Sequence, residues 1–535
     1  MNASTAALRS GVVLAVCLLS AQAAGARDWP QWGGSNGRNM VSPEKNLPAT
    51  FHPGTRLPTG GIDADSLENI RWIAPLGSDS YAAPTVAGGR VYVGTNDRCW
   101  RDPRVMRSGG GVLMCLDEAT GRLRWRLLVP RYKEKVLGSG FDDMNLGICS
   151  SPTLDGTRLY VVTNRAEVLC LDAAGLTNGN DGPFRAEGQY MAGPGKTPVP
   201  LRPGDADIVW RFDMISQLPS APHDATNCSP LLHGNALYVG TSNGVHRIPD
   251  EPTPLPDAPS LIVLHRKTGR LIARDAEKIG RRVFHGQWSS PSLGRVGDKT
   301  LIFFGAGDGV CYAFEAVAPA AARAARPAKL RKVWWYDCNP KEYRLRDGQP
   351  VEYWDGDASR ADVKKNFKGP SEIIATPVFH NGRVYVAVGR DPVHGEASGI
   401  LHCIDATRRG NVTKSGCIWS YRKIDRSMST VAVADGLLYA ADVAGTVHCL
   451  SAKTGKPYWV HRTNQPIWSS PYVADGKVYV GTQRKRLWVF RAGRTKKVLA
   501  KIKLPFAVPT TPVAANGVLY VAASRFLYAV CPDRP

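Results

Sequence analysis

Imidazole, carboxylate and amide side chains, which bind metal ions and move protons, concentrate in a few polar segments of the 535-residue chain. Four of these segments read FDDMNLGICSSP, HDATNCSP, HGQWSSP and GRDPVHGE, and a fifth contains Glu372. Carboxylate and amide oxygens suit a hard cation such as Ca²⁺, whereas histidines favour a transition metal. The candidate ligand-binding residues are Asp142, Asp143, Asn145, His223, Asp224, Asn227, His285, Gln287, Glu372, Asp391, His394 and Glu396.

The spacing of these residues matches no established ligand set, so two interpretations stay open. The side chains could form an organised metal site, or they could cap loops and hydrogen-bond to the backbone. Trp288 and Trp468, each directly before Ser-Ser-Pro, could stack on a flat cofactor or sugar ring, or could plug a channel. The chain has no complete Gly-x-x-x-x-Gly-Lys-Ser/Thr phosphate loop, which argues against a phosphate-loop nucleotidase.

The elements that must position these residues form a repeat. The segment SSPYVADGKVYVGT, from Ser469 to Thr482, places a proline eight residues before a tyrosine. In one further copy Val431 replaces the proline, and the copy from Pro291 is expected to have a longer turn before Leu301. The interval recurs at Pro84 and Tyr92, Pro152 and Tyr160, Pro230 and Tyr238, Pro377 and Tyr385, Pro471 and Tyr479, and Pro512 and Tyr520.

Each of the eight copies continues with a third apolar segment, such as GVLMCLDEATG, and often with a fourth that contains tryptophan. Alternating apolar residues with Asp-Gly or Asn-Gly turns indicate four short strands per copy. Repeats of this kind are typical of β-propellers. The last copy has only three strands, and the spare fourth strand, Asn69 to Gly77, precedes the first copy. The sequence therefore predicts an all-β, eight-bladed propeller whose ring is closed by the N-terminal strand.

In a propeller, the loops before the first strand of each blade and the loops between its second and third strands lie on one face. We call this the funnel face, and every candidate residue named above lies in one of these two kinds of loop. The fold is therefore predicted to bring residues from several blades to one surface.

The repeat SSPxVxDGxVYVGT…xLxCLDAxTGKxxW resembles the pyrroloquinoline-quinone (PQQ)-like repeat over about residues 69 to 531. That repeat builds propellers in quinoprotein alcohol dehydrogenases and in the propeller lipoprotein of the outer-membrane β-barrel assembly machinery. The segments HDATNCSP, HGQWSSP, EIIATPV and VGRDPVHGE further resemble exported propellers of planctomycete-type bacteria.

The resemblance implies two functions. One is a non-catalytic binding or scaffold protein that presents the funnel face to an envelope protein, a glycan or a small ligand. The alternative is a quinoprotein oxidoreductase acting on an alcohol or sugar with PQQ and calcium. Quinoprotein dehydrogenases hold the quinone between a tryptophan and a disulfide of two adjacent cysteines, and the chain has no two adjacent cysteines. We therefore favour the binding protein and assign no catalytic residue.

The first 26 residues resemble a secretory signal, with Arg9, an apolar run from Gly11 to Leu19, and small residues at 24–26. We expect an exported protein of the periplasm or cell envelope, with an N-terminal extension over residues 27–68 that packs across the exterior of a propeller over residues 69–535. Lipidation at Cys17 is a less favoured alternative. A monomer without a transmembrane segment is expected.

The formal net charge of +22 at pH 7 indicates either a solvated basic surface or attraction to anionic polymers. No nucleic-acid-binding motif accompanies that charge, so nucleic acid is not expected as a partner. Of the twelve cysteines, four occupy equivalent places in different repeats and cannot meet one another. Cys149 and Cys228, both shortly before Ser-Pro, are the better candidates for a disulfide.

Overall fold

The computed structural model describes residues 27–99, 102–131, 141–245, 253–283, 285–346, 349–350, 371–391 and 399–532. These residues form eight antiparallel sheets of the propeller, each with four strands from the repeat. The fold class predicted from the sequence is confirmed. The proposed signal peptide and Cys17 lie outside the described residues.

The strands of each blade are three to seven residues long, because turns follow at short intervals. In blades 1 to 4 they are Thr85–Ala87, Arg90–Asn96, Gly111–Asp117 and Leu123–Val129; Thr153–Asp155, Arg158–Val162, Glu167–Asp172 and Ile208–Asp213; Leu231–His233, Ala236–Gly240, Leu261–His265 and Leu271–Arg274; and Ser292–Val296, Lys299–Gly305, Val310–Glu315 and Lys332–Asp337. Blade 4 has longer first and second strands joined by an ordinary two-residue turn. The prediction of a longer turn in this blade is therefore wrong.

Blades 5 to 8 repeat the pattern. Their strands are Val378–His380, Arg383–Val388, Ile400–Asp405 and Cys417–Tyr421; Ala432–Ala434, Leu437–Ala441, Thr446–Ser451 and Pro457–Arg462; Tyr472–Ala474, Lys477–Thr482, Arg486–Arg491 and Val498–Lys503; and Val513–Ala515, Val518–Ala522, Phe526–Val530 and Ile70–Pro75. The last of these pairs antiparallel with Phe526–Val530, so the predicted closure of the ring by the N-terminal strand is confirmed.

The remaining elements are small. Short strands lie at His52–Pro53, Leu67–Glu68, Ala328–Lys329, Leu345–Arg346, Gln349–Pro350 and Gly410–Asn411. The described residues contain an α-helix at Glu187–Ala192 and 3₁₀-helices at Ala64–Ser66, Gly175–Asn178, Ile279–Arg282, Pro319–Arg323 and Lys341–Arg344. None of the helices in this part of the chain has the length and apolarity that a membrane span requires.

Tryptophans of the fourth strands join neighbouring blades. Trp125 is buried, and its indole N–H donates to the carbonyl of Ala173 in the next blade. Equivalent bonds run from Trp72 to Glu118, Trp210 to Arg266, Trp334 to Ala406, Trp419 to Ala452 and Trp459 to Gly493. A buried indole N–H needs an acceptor, so this bond fixes each tryptophan against its neighbouring blade.

Hydroxyl groups at the start of the first strands form a second set of links. Ser151 N donates to Ser229 Oγ, and Ser229 N donates to Ser290 Oγ. Bonds of the same kind join blades 5 and 6, 6 and 7, and 7 and 8. Blades 4 and 5 are joined by the Ser289 hydroxyl, which donates to the carbonyl of Ala375. Blade 1 has Ala82 and Ala83 at these positions. The Ser-Ser-Pro and Thr-Thr-Pro motifs therefore tie the first strands of successive blades together around most of the ring.

The first strands surround a central channel, and the N-terminal extension lies against them inside the ring. Residues 29–42 hydrogen-bond to the first strand of every blade. Fully extended, this segment would reach about 50 Å. The contacts pair Trp29 with Val86, Pro30 with Leu154, Asn36 with Leu232 and Leu293, Gly37 with Phe379, Asn39 with Val433, Met40 with Val473, and Ser42 with Ala514. The sequence suggested an exterior position for this segment, but these contacts place it against the innermost strands.

Arg38 of this segment is completely buried within the ring of first strands. Its guanidinium donates to the carbonyls of Trp32, Pro230 and Pro291, at 2.7, 2.7 and 3.1 Å. Burial lowers its pKa to about 10. The extension and Arg38 therefore lie inside the ring of first strands.

Candidate functional site

Histidines from two neighbouring blades meet at the funnel face. His223 precedes the first strand of blade 3, and His285 precedes that of blade 4. Their ring centroids lie 4.6 Å apart, with the planes at 71°. Both rings are buried, and Asp224 lies between them with Oδ1 3.5 Å from Nε2 of His223 and Oδ2 3.6 Å from Nε2 of His285.

Acidic residues extend this cluster in both directions. On one side, Nδ1 of His285 faces Oε1 of buried Glu372 at 3.7 Å, and the same oxygen accepts the backbone N–H of Asp391 at 2.9 Å. On the other side, the backbone N–H of Asp142 donates to the carbonyl of Asp224 at 2.7 Å. The structure thus brings together residues from blades 2, 3, 4 and 5 in one continuous chain of contacts.

The Asp142 carboxyl is buried beside this chain. Burial raises its pKa to about 7, and a hydrogen bond from Asn164 Nδ2 at 3.0 Å partly opposes that increase. The residue has φ of 59°, a left-handed conformation that aspartate and asparagine tolerate better than most residues. Near neutral pH this carboxyl therefore exists in both protonated and ionised forms.

Trp288 supports the histidine cluster from within. Its ring packs edge-to-face against His285 at 4.9 Å between centroids. Its indole N–H donates to the carbonyl of Ala225 at 3.0 Å and lies 3.3 Å from that of His223. Trp288 therefore fixes the backbone that carries His223 and Asp224.

Other candidate residues have separate roles in the structure. Gln287 is buried and donates to Asn243 O and Ser260 Oγ, at 2.7 and 2.8 Å. Trp468 stacks on Tyr81 across the face, with centroids 6.0 Å apart. Asn145 lies beside Arg131, which also pairs with Asp143.

The remaining candidate residues are Asn227, His394 and Glu396. Asn227 Oδ1 is buried without a hydrogen-bond partner among the described residues. His394 and Glu396 lie outside the described residues. Arg390 belongs to this region but was not predicted from the sequence. It is 1% exposed and lies close enough to Glu372 for the two charges to interact. Only its position directly before Asp391 pointed to it, because a sequence does not show that an arginine in a polar loop becomes buried.

The cysteines do not form the disulfide that the sequence left open. Cys149 and Cys228 are both free, and Cys228 Sγ accepts the backbone N–H of Gly240 at 3.1 Å. Burial raises the pKa of Cys149 to about 12 and that of Cys228 to about 11. Both thiols are therefore protonated packing residues at neutral pH.

Comparison with known proteins fits this architecture. A family model described as outer membrane protein assembly factor BamB matches residues 101–312 and 397–530, more than half of the chain. The chain belongs to this family. The PQQ-like repeat suspected from the sequence is thus confirmed, while no curated protein is significantly similar to the chain.

Solved structures show the same propeller at low sequence identity. BamB from Moraxella catarrhalis is 11% identical, with a TM-score of 0.52 over 86% of this chain and 98% of that chain. A europium-containing methanol dehydrogenase is 12% identical, with a TM-score of 0.54 over 93% and 89%. The quinohemoprotein alcohol dehydrogenase ADHIIG from Pseudomonas putida HK5 is 12% identical, with a TM-score of 0.55 over 95% and 82%. Similarity at this level establishes the fold alone.

The described residues do not fit the quinone pocket that the dehydrogenase resemblance implies. The chain lacks adjacent cysteines, and the two tryptophans in the described part of the funnel-face loops make contacts within the protein, while Trp100 and Trp354 lie outside the described residues. Trp288 packs on His285, and Trp468 stacks on Tyr81. We therefore derive no reaction through PQQ.

Proposed function

We propose that the protein is an exported, non-catalytic binding propeller that presents its funnel face to another protein of the cell envelope. The observation that carries this proposal is a set of exposed apolar side chains in loops of that face. Met106 is 86% exposed, and Met144 and Leu345 are each 49% exposed. Methionine side chains adapt to partners of varied shape, and Met106 and Met144 belong to loops of the neighbouring blades 1 and 2.

The charges around Met106 indicate the chemical character of the partner segment. Exposed Arg98 and Arg107 lie in the same loop, and the guanidinium of Arg107 donates to the carbonyl of Arg98. A methionine between arginines would favour a segment that combines apolar and acidic residues. The family description, which concerns outer-membrane protein assembly, also supports a protein partner.

A glycan is less well supported, because sugar binding commonly uses an exposed aromatic ring. Of the tryptophans in the described part of this face, Trp288 is buried, and one face of Trp468 is covered by Tyr81. The same two contacts argue against the quinoprotein alternative. A protein partner therefore explains more of the described part of the funnel face than either small ligand does.

Site-specific photo-crosslinking tests the proposal. A photoreactive amino acid replaces Met106 in the full chain, expressed in its native cells. Ile418, 41% exposed on the outermost strand of blade 5, provides the matched control position. We expect irradiation to yield a discrete adduct with an envelope protein at position 106 and none at position 418, identified by mass spectrometry.

Two outcomes would contradict the proposal. The first is equal crosslinking at both positions, or none at position 106. The second is a saturable increase in thermal stability, with slow release of quinone, when the protein is titrated with PQQ and Ca²⁺ and compared with an EDTA-treated sample. That second result would favour the dehydrogenase.

A further inference from the structure

We propose that His223, Asp224 and His285 bind a divalent first-row transition metal ion such as Zn²⁺. One ligand atom from each of the three residues lies within 4.8 Å of the others. Two imidazoles and one carboxylate form a donor set that suits zinc, iron and similar ions better than calcium. The proposal concerns the protein's own residues and does not depend on the identity of a partner.

The second nitrogen of each imidazole faces an acceptor. Nδ1 of His223 lies 2.8 Å from the carbonyl of Val245, so this nitrogen carries the hydrogen and donates it. Nδ1 of His285 faces the carboxylate of Glu372 at 3.7 Å. Metal-binding histidines commonly direct their non-coordinating N–H at a carbonyl or carboxylate, which orients the ring and raises its basicity.

The bond to Val245 leaves the Nε2 lone pair of His223 directed at the Asp224 carboxylate, so a lone pair and an anionic group face each other, which is electrostatically unfavourable. Nε2 of His285 faces the other oxygen of the same carboxylate. A cation between these groups removes the repulsion. The cation can be a metal ion or protons on the imidazole rings, and the distances discriminate between them.

The protein contains a histidine–aspartate pair for comparison. In blade 6, Nε2 of His448 lies 3.0 Å from Oδ2 of Asp442, within the range of a direct hydrogen bond. The corresponding distances in the funnel cluster are 3.5 and 3.6 Å. Ligand atoms bound tetrahedrally at about 2.0–2.1 Å from zinc lie about 3.4 Å from each other. Each funnel distance, measured to a different oxygen of Asp224, is therefore closer to the spacing of two ligands of one metal ion than to that of two atoms that share a proton.

The surrounding structure holds this geometry before any ion binds. Gly244 allows the two histidines to approach, because a Cβ there would lie 2.6 Å from Cβ of His223 and 2.7 Å from the carbonyl oxygen of His285. Trp288 fixes the backbone of residues 223–225 through its indole N–H. A site with little reorganisation on binding has higher affinity.

The exposure of the ligands indicates where an additional ligand would bind. The side chains of His223 and His285 are 8% and 3% exposed, whereas that of Asp224 is 27% exposed. A metal ion held by three protein ligands keeps a coordination position for water or another oxygen ligand. Here that position would open towards the funnel face beside Asp224, where it could take a carboxylate or carbonyl oxygen.

Metal titration of the full-length protein tests the site. After EDTA treatment and removal of the chelator, Zn²⁺ binding is measured by calorimetry and Co²⁺ binding by visible absorption. We expect one equivalent to bind, with a cobalt spectrum typical of low coordination number. Replacing the supporting carboxylate in E372Q should weaken Zn²⁺ binding by roughly 10–100-fold, and removing a ligand in H223Q should weaken it further.

Two variants make the result interpretable. D224N changes the most exposed ligand conservatively and should abolish the cobalt spectrum while retaining the fold, as judged by circular dichroism. H265Q removes a half-buried histidine outside the cluster and should bind zinc like the wild type. Absence of saturable Zn²⁺ binding at micromolar concentration, or binding that D224N and H223Q leave unchanged, would overturn the proposal.

Discussion

At the scale of single residues, the funnel face depends on buried polar groups whose neighbours determine their charge. Asp142 shows this most directly, because burial raises its pKa to about 7 while its backbone N–H bonds to Asp224. The unfolded carboxyl has its ordinary pKa near 4. The folded protein therefore binds this proton more tightly than the unfolded chain does.

The sign of the resulting pH dependence follows from linkage. The stability contributed by the Asp142 proton is fully present below about pH 4 and is lost as pH rises to about 7. In D142N, a neutral amide replaces the carboxyl and is compatible with the left-handed φ at this position. We expect D142N to lose stability less steeply than the wild type between pH 4 and 7, and to melt at a higher temperature at pH 8. Thermal melts across this range would measure both, and equal slopes would contradict the assignment.

At the scale of elements, the hydroxyls of the Ser-Ser-Pro motifs link one blade to the next. Ser470 Oγ accepts the backbone N–H of Thr430 at 2.9 Å, and the backbone N–H of Ser470 donates to Thr511 Oγ1 in the following blade. A buried backbone N–H must find an acceptor, so the side chain completes the bonding of the first strand. The Ser-Ser-Pro motif is therefore a structural link between blades, and we assign it no catalytic role.

The variant S470A tests this role. It leaves the buried N–H of Thr430 without its acceptor, which should lower the free energy of unfolding by about 1–3 kcal/mol. S216A, which removes a hydroxyl from an exposed turn, should leave the free energy of unfolding nearly unchanged. Urea denaturation of both variants provides the measurement, and equal midpoints would argue against a linking role.

At the scale of the whole molecule, the N-terminal extension connects all eight blades. Arg38 lies at its centre and donates to carbonyls of blades 3 and 4, including those of Pro230 and Pro291. Closure of the ring and the contacts inside it therefore both depend on the chain before residue 76.

We expect R38M to destabilise the whole propeller. The substitution keeps most of the side-chain volume but leaves several buried carbonyls without a donor, which should lower the free energy of unfolding by at least about 3 kcal/mol. R71M, on the exposed side of the closing strand, is the matched control and should have little effect. Urea midpoints followed by tryptophan fluorescence would test this, and a wild-type midpoint for R38M would show that the extension is only loosely associated.

The sequence predicted the repeated part of the molecule because each copy contains its own strand and turn signals. The interval between Pro471 and Tyr479 corresponds to one local hairpin. Such a hairpin can be predicted from the propensities of its residues and from the alternation of apolar and polar side chains. The spare strand at Ile70–Pro75 could be assigned by counting, since a closed ring must pair every edge. The topology of a propeller also predicted that polar loops from different blades would share a face.

The sequence by itself thus determined the fold class, the number of blades and the closing strand, and it predicted the face on which function should be sought. Only the tertiary structure decided that His223, Asp224 and His285 converge while Gln287 and Trp468 do not, and that Arg38 occupies the channel. These contacts join residues tens to hundreds of positions apart, and their distances depend on the packing of whole blades rather than on local pattern. A histidine before Ser-Pro looks the same in sequence whether it points to a neighbour or to solvent, because the direction of its side chain is set by the blade beside it.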